Sequence, residues 1–241
     1  MNRYLIALAG NPNTGKSTLF NALTGMRQHT GNWAGKTVVR AEGTFTFGDS
    51  EFRLVDLPGT YSLFSNSTDE EVARDSIILE KPDATIVVAD ATSLERHMNL
   101  ALQVMEMTNR VVLAVNLLDE AEKLGITVDI GKLEGRLGIP VAGISARKKK
   151  GLNELLHKVE GVASGRIVPV PRQVSYSAEI EKAIEKLVPK VRELLGDEYP
   201  ARWLALRILD GDHGLLDTLV REKPERKRSG EVLTHAESVC H

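Results

Sequence analysis

The chain has 241 residues, enough for one large domain or for one ordinary domain with a small second one. Its apolar fraction of 42%, charged fraction of 27% and net charge of −2 are typical of a globular protein and argue against a basic surface for sequence-independent nucleic-acid binding. One cysteine excludes a disulfide framework, and no apolar run reaches the length of a membrane-spanning helix. We therefore expect a globular protein from a reducing compartment.

The first two thirds of the chain predict alternating strands and helices. An apolar run at 4–10 ends in glycine, and a helical pattern over 16–25 follows it. Further apolar runs predict strands at 38–47, 51–57, 84–90, 111–117 and 140–145, and periodicity predicts helices at 71–80, 94–108, 129–137 and 152–163. Residues 27–37 and 61–70 lack periodicity and are predicted as loops. The pattern favours a mostly parallel six-stranded sheet with helices on both faces and one antiparallel hairpin near an edge.

The composition changes near residue 165, where two prolines and no periodicity indicate a linker. Beyond the linker we find no strand candidate, and the pattern predicts helices at 175–195, 201–210 and 212–222. We therefore predict an α/β domain over 1–165, a linker over 166–174 and a small all-helical domain with a charged C-terminal tail over 175–241.

The segment 10-GNPNTGKS-17 lies between the first strand and the first helix and has the spacing of a phosphate-binding loop. Gly10 and Gly15 let the backbone wrap around phosphates, Lys16 reaches the β- and γ-phosphates, and Ser17 supplies an oxygen to Mg²⁺. The positive end of the following helix adds to the anion site. A chance glycine-rich turn is the alternative, which the position between strand and helix disfavours. The predicted nucleotide contacts here are Gly10, Asn11, Pro12, Asn13, Thr14, Gly15, Lys16, Ser17 and Thr18.

Asp56 ends the strand at 51–57, and Gly59 follows it in a Pro-Gly bend. The carboxylate would reach Mg²⁺ through water, and the Gly59 N–H would contact the γ-phosphate. A strand-capping aspartate is the alternative, and the phosphate loop upstream makes it the weaker one. In nucleotide switches of this type the next residue is usually a glutamine that orients the attacking water, whereas this chain has Thr60.

A base-binding motif is predicted after the next strands. In 116-NLLD-119, the Asp119 carboxylate can accept hydrogen bonds from the N1–H and exocyclic amine of guanine, a donor pair that adenine lacks. A surface helix cap is the alternative for Asn116 and Asp119. Ser145 and Ala146 follow the sixth predicted strand, where a backbone N–H would meet the guanine carbonyl.

These four motifs follow one another in order, each at the end of a strand, and together they resemble the GTPase family of P-loop proteins. The resemblance implies a Ras-like fold, GTP and GDP as ligands, and Mg²⁺ as a cofactor. In GTPases a threonine of the switch-I loop closes on Mg²⁺ only when the γ-phosphate is present. Thr30 and Thr37 are candidates, and we choose Thr37 because it lies just before the strand at 38–47. An ordinary threonine at the start of a strand is the alternative.

A narrower resemblance rests on the stretches 31-GNWAGKTV-38, 56-DLPGTYSL-63, 71-EVARD-75, 116-NLLDEAEKLGI-126 and 145-SARKKKGLNEL-155. They look like the cytosolic N-terminal region of the bacterial ferrous iron transport protein B family, over about 1–165. The helical segment after 172 is similar to that family's small helical domain in position and size. The chain departs from the family in switch I, where proline and valine commonly stand at the places of Ala34 and Lys36.

The resemblance implies a potassium-stimulated GTPase in which Asn13 helps to hold K⁺ near the phosphates, with carbonyls around Asn32 and Trp33. Such a cation can offset charge that develops on the phosphoryl oxygens. A turn residue that only shapes the loop is the alternative for Asn13. Thr60 is too short to replace glutamine, so the group that positions the water stays open, with a backbone group as one candidate. The predicted catalytic residues are therefore Lys16, Asn13, Thr37 and Gly59.

The resemblance also implies partners and a location. Family members continue into a polytopic membrane region that takes up Fe²⁺, so the implied partners are guanine nucleotide, the membrane transport region of the same polypeptide and a small accessory iron-transport protein, without nucleic acid. The implied location is the cytoplasmic face of the bacterial inner membrane, with this part of the protein itself soluble. A soluble K⁺-dependent GTPase of the ribosome-assembly or tRNA-modification kind is the alternative. The net charge and the non-basic helical segment favour the transporter, and a binding scaffold with an inactive site ranks last.

Overall fold

The computed structural model describes most of the chain: residues 1–25, 28–34, 36–64, 67–212 and 214–222. The chain forms two compact units, one over Met1–Arg172 and one that begins at Gln173. The predicted charged tail beyond residue 222 lies outside the described residues. No described helix combines the length and the apolarity of a membrane span.

A seven-stranded sheet organises the first unit, in the order β2-β3-β4-β1-β5-β6-β7. Its strands are β1 (Asn2–Gly10), β2 (Gln28–Asn32), β3 (Val39–Phe47), β4 (Ser50–Asp56), β5 (Ala84–Asp90), β6 (Val111–Asn116) and β7 (Val141–Gly143). The five strands from β4 to β7 in this order run parallel, while β2 and β3 are antiparallel to their neighbours. The predicted mostly parallel sheet with an antiparallel edge is confirmed.

The seventh strand, β2, is a correction to the sequence analysis, which predicts a loop over 27–37 and six strands. Residues 28–32 instead pair antiparallel with β3, with Thr30 opposite Ala41. Residues 29–32 are exposed. Because the side chains at 29–32 face solvent, this part of the chain carries no apolar alternation that could reveal the strand in the sequence.

In the described part of this unit, six α-helices accompany the sheet: α1 (Lys16–Thr24), α2 (Thr68–Leu79), α3 (Leu94–Met107), α4 (Leu118–Lys123), α5 (Ile130–Leu137) and α6 (Leu152–Ala163). Helices α1 and α6 share one core with β-strand residues such as Ile6 and Leu54. Helices α2 and α3 pack against β1, and α3 also against β5 and β6. Strand residues that alternate with that core, such as Ala7 and Val87, are also buried, so both faces are covered as predicted.

Two details of these helices differ from the prediction. Helix α2 begins three residues before the predicted start, because the Ser67 hydroxyl caps it by accepting the Glu70 N–H. Helix α4 has only six residues, too few to show a helical period in the sequence.

The second unit is helical in its described part, with α7 (Ala178–Leu195), α8 (Ala201–Leu209) and α9 (Gly214–Glu222). Apolar side chains of all three helices are buried, among them Leu187, Leu204 and Leu219. The predicted linker over 166–174 contains no helix or strand. Its Val170 N–H donates to the Gly138 carbonyl at the end of α5, at 3.0 Å. The domain limits given in the sequence analysis stay a prediction.

Candidate nucleotide site

The loop from β1 to α1 is compact and depends on its glycines. A Cβ at Gly10 would lie 3.0 Å from the Val88 carbonyl oxygen and 3.1 Å from Thr14 Oγ1. Thr14 Oγ1 donates to the Asn11 carbonyl at 2.9 Å. Gly15 has a φ of +82°, which a side chain disfavours. The loop therefore has a defined shape directly before the N-terminus of α1.

Lys16 and Asp56 meet across this loop. Lys16 Nζ lies 2.5 Å from Asp56 Oδ1 and donates to the Leu57 carbonyl at 2.7 Å. Burial raises the pKa of the Asp56 carboxyl, while the Lys16 ammonium lowers it, and the net direction is upward. Ser17 and Thr18 are exposed on the first turn of α1. The lysine predicted to bind phosphate and the carboxylate predicted to bind Mg²⁺ are thus in direct contact with each other.

The segment after β4 passes close to the phosphate loop. A Cβ at Gly59 would lie 3.5 Å from the Pro12 nitrogen and 3.6 Å from its Cα, so the backbones of these two residues are near neighbours. Thr60, which stands in the place of the glutamine, is only 5% exposed. Its side chain is therefore packed into the protein.

Asn116 connects the phosphate loop to the turn after β7. Its Nδ2 donates to the Thr14 carbonyl at 2.9 Å, and its Oδ1 accepts the Ala146 N–H at 3.0 Å. A Cβ at Gly15 would collide with the Asn116 amide. The sequence analysis grouped Asn116 with base recognition, whereas the structure gives it the geometry of a brace between two loops.

Asp119 lies on the first turn of α4, which follows Leu117 in a left-handed conformation with φ of 63°. The Ser145 hydroxyl donates to Asp119 Oδ1 at 2.7 Å, and Lys148 Nζ lies 3.0 Å from Oδ2. The hydrogen bond from Ser145, and then that from Lys148, lowers the pKa of the Asp119 carboxyl to about 2. The group is therefore ionised at neutral pH. Lys148 is the residue of this site that the sequence analysis missed, because a run of three lysines usually indicates only a solvated loop.

Thr37 and Asn13 are not joined to this network. Thr37 is exposed and makes no hydrogen bond with another described residue. Asn13 is exposed with a left-handed φ of 66°, which suits a turn residue as well as an ion ligand. Thr30, the second candidate for the switch threonine, lies on β2.

The switch-I loop that contains Thr37 has its own contacts. The Trp33 N–H donates to the Val38 carbonyl at 2.9 Å, and the Lys36 N–H donates to the Trp33 carbonyl at 3.0 Å. Trp33 is 8% exposed under the Arg40 guanidinium, 4.1 Å from the ring centroid. The loop is therefore anchored at Trp33, and this indole packs into the protein.

The donor set fits Mg²⁺. Ser17, which follows Lys16, and Asp56, which contacts Lys16, carry hard oxygen atoms, and Mg²⁺ is commonly held by one or two such protein ligands together with substrate phosphates and water. No group of three or more His, Cys, Asp or Glu suited to a metal is found among the residues that the structure describes. The arrangement thus suits a metal that a phosphate ligand completes.

Sequence comparison matches each of the two units of the chain to a known protein family. Residues 4–159 match the family Ferrous iron transport protein B, and residues 176–240 match the FeoB cytosolic helical domain. A curated relative, the Fe(2+) transport protein A/Fe(2+) transporter FeoB fusion protein of Porphyromonas gingivalis, is 40% identical over 224 residues, which are 91% of this chain and 26% of the relative. The chain thus spans about a quarter of the length of the curated relatives it matches.

Structural comparison gives the same assignment. The cytosolic domain of the T. maritima FeoB iron transporter in a GDP form has a TM-score of 0.82 and 36% identity, covering 99% of this chain and 93% of that one. Its GMPPNP form has a TM-score of 0.81 and 37% identity, covering 99% and 92%. The chain belongs to the ferrous iron transport protein B family, and its two units carry the family's GTPase fold and its helical domain.

Proposed function

We propose that this chain is the guanine-nucleotide-binding and GTP-hydrolysing region of a ferrous iron transporter. The observation that carries the proposal is the hydrogen-bonded chain from Thr14 through Asn116 to Ala146, which joins the phosphate loop to the base-binding turn. Lys16 and Asp56 complete the same edge of the sheet. The carboxyl ends of parallel strands are where such folds bind nucleotides. Relatives described in GDP and GMPPNP forms support this choice of ligand.

Selectivity for guanine is assigned to Asp119. Its carboxylate is held in place by Ser145, and its side chain is 14% exposed, so it presents a partly desolvated anion to the base. Guanine offers two donors to such a group, while adenine would leave it without them. We therefore place the base at Asp119, against the turn that contains Ser145 and Ala146.

We assign hydrolysis to the part of the site that surrounds the phosphate loop. Ser17, Asp56 and, in the triphosphate state, Thr37 would hold Mg²⁺, which when bound neutralises charge on the phosphates. Lys16 exchanges its contact with Asp56 for the phosphate oxygens. The Gly59 N–H meets the γ-phosphate, because this backbone lies beside Pro12. Asn13 would contribute its side-chain oxygen to K⁺. Turnover is expected to be slow, because Thr60 stands where a glutamine usually orients the attacking water.

The setting of the whole protein is likewise proposed from the family. Transport of Fe²⁺ would require a membrane region of the same polypeptide, which would place this region at the cytoplasmic face of the bacterial inner membrane. The name of the P. gingivalis relative joins transport protein A to FeoB, which supports a small accessory iron-transport protein as a partner. A soluble GTPase of the ribosome-assembly or tRNA-modification kind is disfavoured, because residues 176–240 match the FeoB helical domain.

Calorimetry with GDP and ADP tests the central assignment. The unchanged chain should bind GDP far more tightly than ADP. Asp119→Ala should lose about 2–3 kcal/mol of GDP binding free energy because the donors of the base lose a charged partner. Glu120→Ala is the matched control, since Glu120 also lies on α4 but pairs with Lys123 at 3.0 Å.

GTP turnover with and without Mg²⁺ tests the proposed hydrolysis, which should require Mg²⁺. Thr37→Ala should spare GDP binding and impair turnover, because this threonine is expected to join only the triphosphate state. Equal binding of GDP and ADP, or an Asp119→Ala variant with normal GDP affinity, would contradict the base assignment. Equal losses of GDP binding and turnover in Thr37→Ala would make that threonine structural.

A further inference from the structure

Each carboxylate oxygen of Asp119 already has a partner, and the two partners differ in chemistry. Ser145 donates a neutral hydrogen bond to Oδ1 at 2.7 Å. Lys148 places a full positive charge 3.0 Å from Oδ2. A carboxylate oxygen can accept two hydrogen bonds, so Ser145 leaves room at Oδ1, but the ammonium at Oδ2 repels the positively polarised donors of a base. Guanine and Lys148 therefore compete for Oδ2.

The two partners also differ in mobility. Ser145 is 4% exposed and belongs to the turn whose Ala146 N–H bonds to Asn116, so its hydroxyl is fixed in the site. The side chain of Lys148 is 49% exposed, while its backbone N–H donates to the Ser145 carbonyl at 3.1 Å. A long exposed side chain can move its ammonium into water at small cost. Lys148 is therefore the partner that can leave.

Base chemistry decides which nucleotides this competition affects. Guanine presents two neighbouring donors, N1–H and the exocyclic amine, and needs both oxygens of one carboxylate. Hypoxanthine presents only N1–H and needs one oxygen, so it can bind beside the Lys148 contact. A group that weakens only the second hydrogen bond changes the selectivity between these two bases.

We propose that Lys148 is a specificity-determining residue that competes with guanine for Asp119 Oδ2, which weakens guanine-nucleotide binding and speeds nucleotide release. The inference rests on the proposed function, since it requires the base to lie at Asp119. Of the three consecutive lysines at 148–150, only Lys148 receives a function in this proposal. The Lys148 ammonium contacts Asp119 when no base is bound and moves away when guanine binds. Ser145 holds the Asp119 carboxylate in both states.

The test is Lys148→Met, which keeps the length of the side chain and removes its charge. The matched control is Lys150→Met in the same turn, because the Lys150 side chain is exposed and forms no ion pair with any other residue that the structure describes. Calorimetry should give GDP binding about two- to fivefold tighter for Lys148→Met, the range expected from removing one partly exposed ion pair. IDP affinity should stay within experimental error. Release of a fluorescent GDP analogue should slow by a similar factor, and Lys148→Arg and Lys150→Met should resemble the unchanged chain.

Three results would overturn the proposal. Weaker GDP binding in Lys148→Met would make the lysine a supporting contact, and equal shifts for GDP and IDP would indicate a general effect of loop structure or charge. Unchanged GDP binding would make Lys148 a bystander. Failure of the proposed function appears differently, as absence of GDP binding in the unchanged chain. The comparison of GDP with IDP separates competition at one oxygen from a merely structural role.

Discussion

Asn116 is buried between two loops, and its amide is bonded on both sides, to Thr14 and to Ala146. A buried polar group that loses its partner costs about 1–3 kcal/mol. Asn116 therefore fixes the spacing between the part of the site assigned to phosphate and the part assigned to base. The base itself is proposed to bind Asp119, so the two polar residues of 116-NLLD-119 have different proposed roles.

Asn13 allows a decisive experiment, because at its left-handed φ of 66° a glycine can keep the backbone while the side chain is removed. Glycine keeps this backbone without strain and lacks the amide, whereas alanine adds about 1–2 kcal/mol of strain. If Asn13 holds K⁺, Asn13→Gly should abolish the stimulation of GTP turnover by K⁺ and leave GDP affinity nearly unchanged. Turnover in KCl and NaCl at matched ionic strength measures this.

The control for Asn13 is Thr60→Ala. Because Thr60 is buried, its loss should reduce turnover by less than about tenfold, well below the effect expected for an essential catalytic group. If Asn13→Gly keeps its preference for K⁺, or if the unchanged chain has none, the potassium assignment is wrong and Asn13 only shapes the loop.

Among the elements of the fold, the switch-I loop is tied to α2. Lys36 Nζ lies 3.0 Å from Glu71 Oε2 and 3.9 Å from Asp75 Oδ2, both on α2. Thr37 follows Lys36 directly and makes no hydrogen bond with another described residue. If Thr37 moves toward Mg²⁺ as proposed, we expect these ion pairs to stretch or break, because Thr37 follows Lys36 directly. We therefore expect the ion pairs of Lys36 to favour the loop position seen here, in which Thr37 is exposed.

We expect Lys36→Met to shift the loop toward the triphosphate-bound arrangement. The ratio of GMPPNP to GDP affinity should rise by up to about fivefold, since the ion pairs are partly exposed and such pairs contribute about 0.2–1 kcal/mol. Calorimetry with both nucleotides measures the ratio, and Lys36→Arg, which keeps the charge, is the control. An unchanged ratio would show that the ion pairs do not oppose the movement.

In the helical unit, Arg202 on α8 makes a two-pronged contact with Glu181 on α7, with both N–O distances at 2.8 Å. This contact, aided by the Tyr176 N–H, lowers the pKa of the Glu181 carboxyl to about 2. Because the folded-state pKa is below the ordinary value, the contact stabilises the unit above about pH 4.5 and is lost as the pH falls toward 2.

Arg202→Met should return the pKa of Glu181 toward 4.5. An NMR titration of the side-chain carboxyl carbon of Glu181 in the whole chain measures this value. Arg192→Met is the control. Arg192 lies in the last turn of α7, and its nitrogen lies 3.3 Å from an oxygen of Asp197, whose side chain is 90% exposed. A Glu181 pKa that stays near 2 in Arg202→Met would assign the shift to the backbone and not to the ion pair.

For the whole molecule, every residue assigned to nucleotide lies within Met1–Arg172, while the helical unit has its own buried core. We expect a chain that ends at Arg172 to fold and to retain GTP turnover. The helical unit is expected to act as a regulator, so this shortened chain should release GDP at a rate that differs at least about twofold from the full chain. Stopped-flow release and turnover assays measure both quantities. Identical release would argue against regulation, and complete loss of turnover would place part of the catalytic unit beyond Arg172.

The sequence by itself determined the parallel strands, the helices that cover them and the position of the phosphate loop. Apolar runs such as 84–90 and motifs such as 10–17 are local, so their pattern is complete within a few residues. Fold class followed from the order of these local signals, and the family was suggested by the resemblance of longer stretches such as 31–38 and 56–63. The strand β2 gave no such signal, because it pairs with β3 through backbone groups and the side chains at 29–32 lie in solvent.

Only the tertiary structure decided how distant residues meet. The link from Asn116 to Thr14 and the contact of Lys148 with Asp119 each join segments that are far apart in the chain. Nothing in the local composition around Lys148 distinguishes it from its neighbours Lys149 and Lys150. Hydrogen bonds and ion pairs depend on distances of about 3 Å, and such distances arise only when the strands have set the loops side by side.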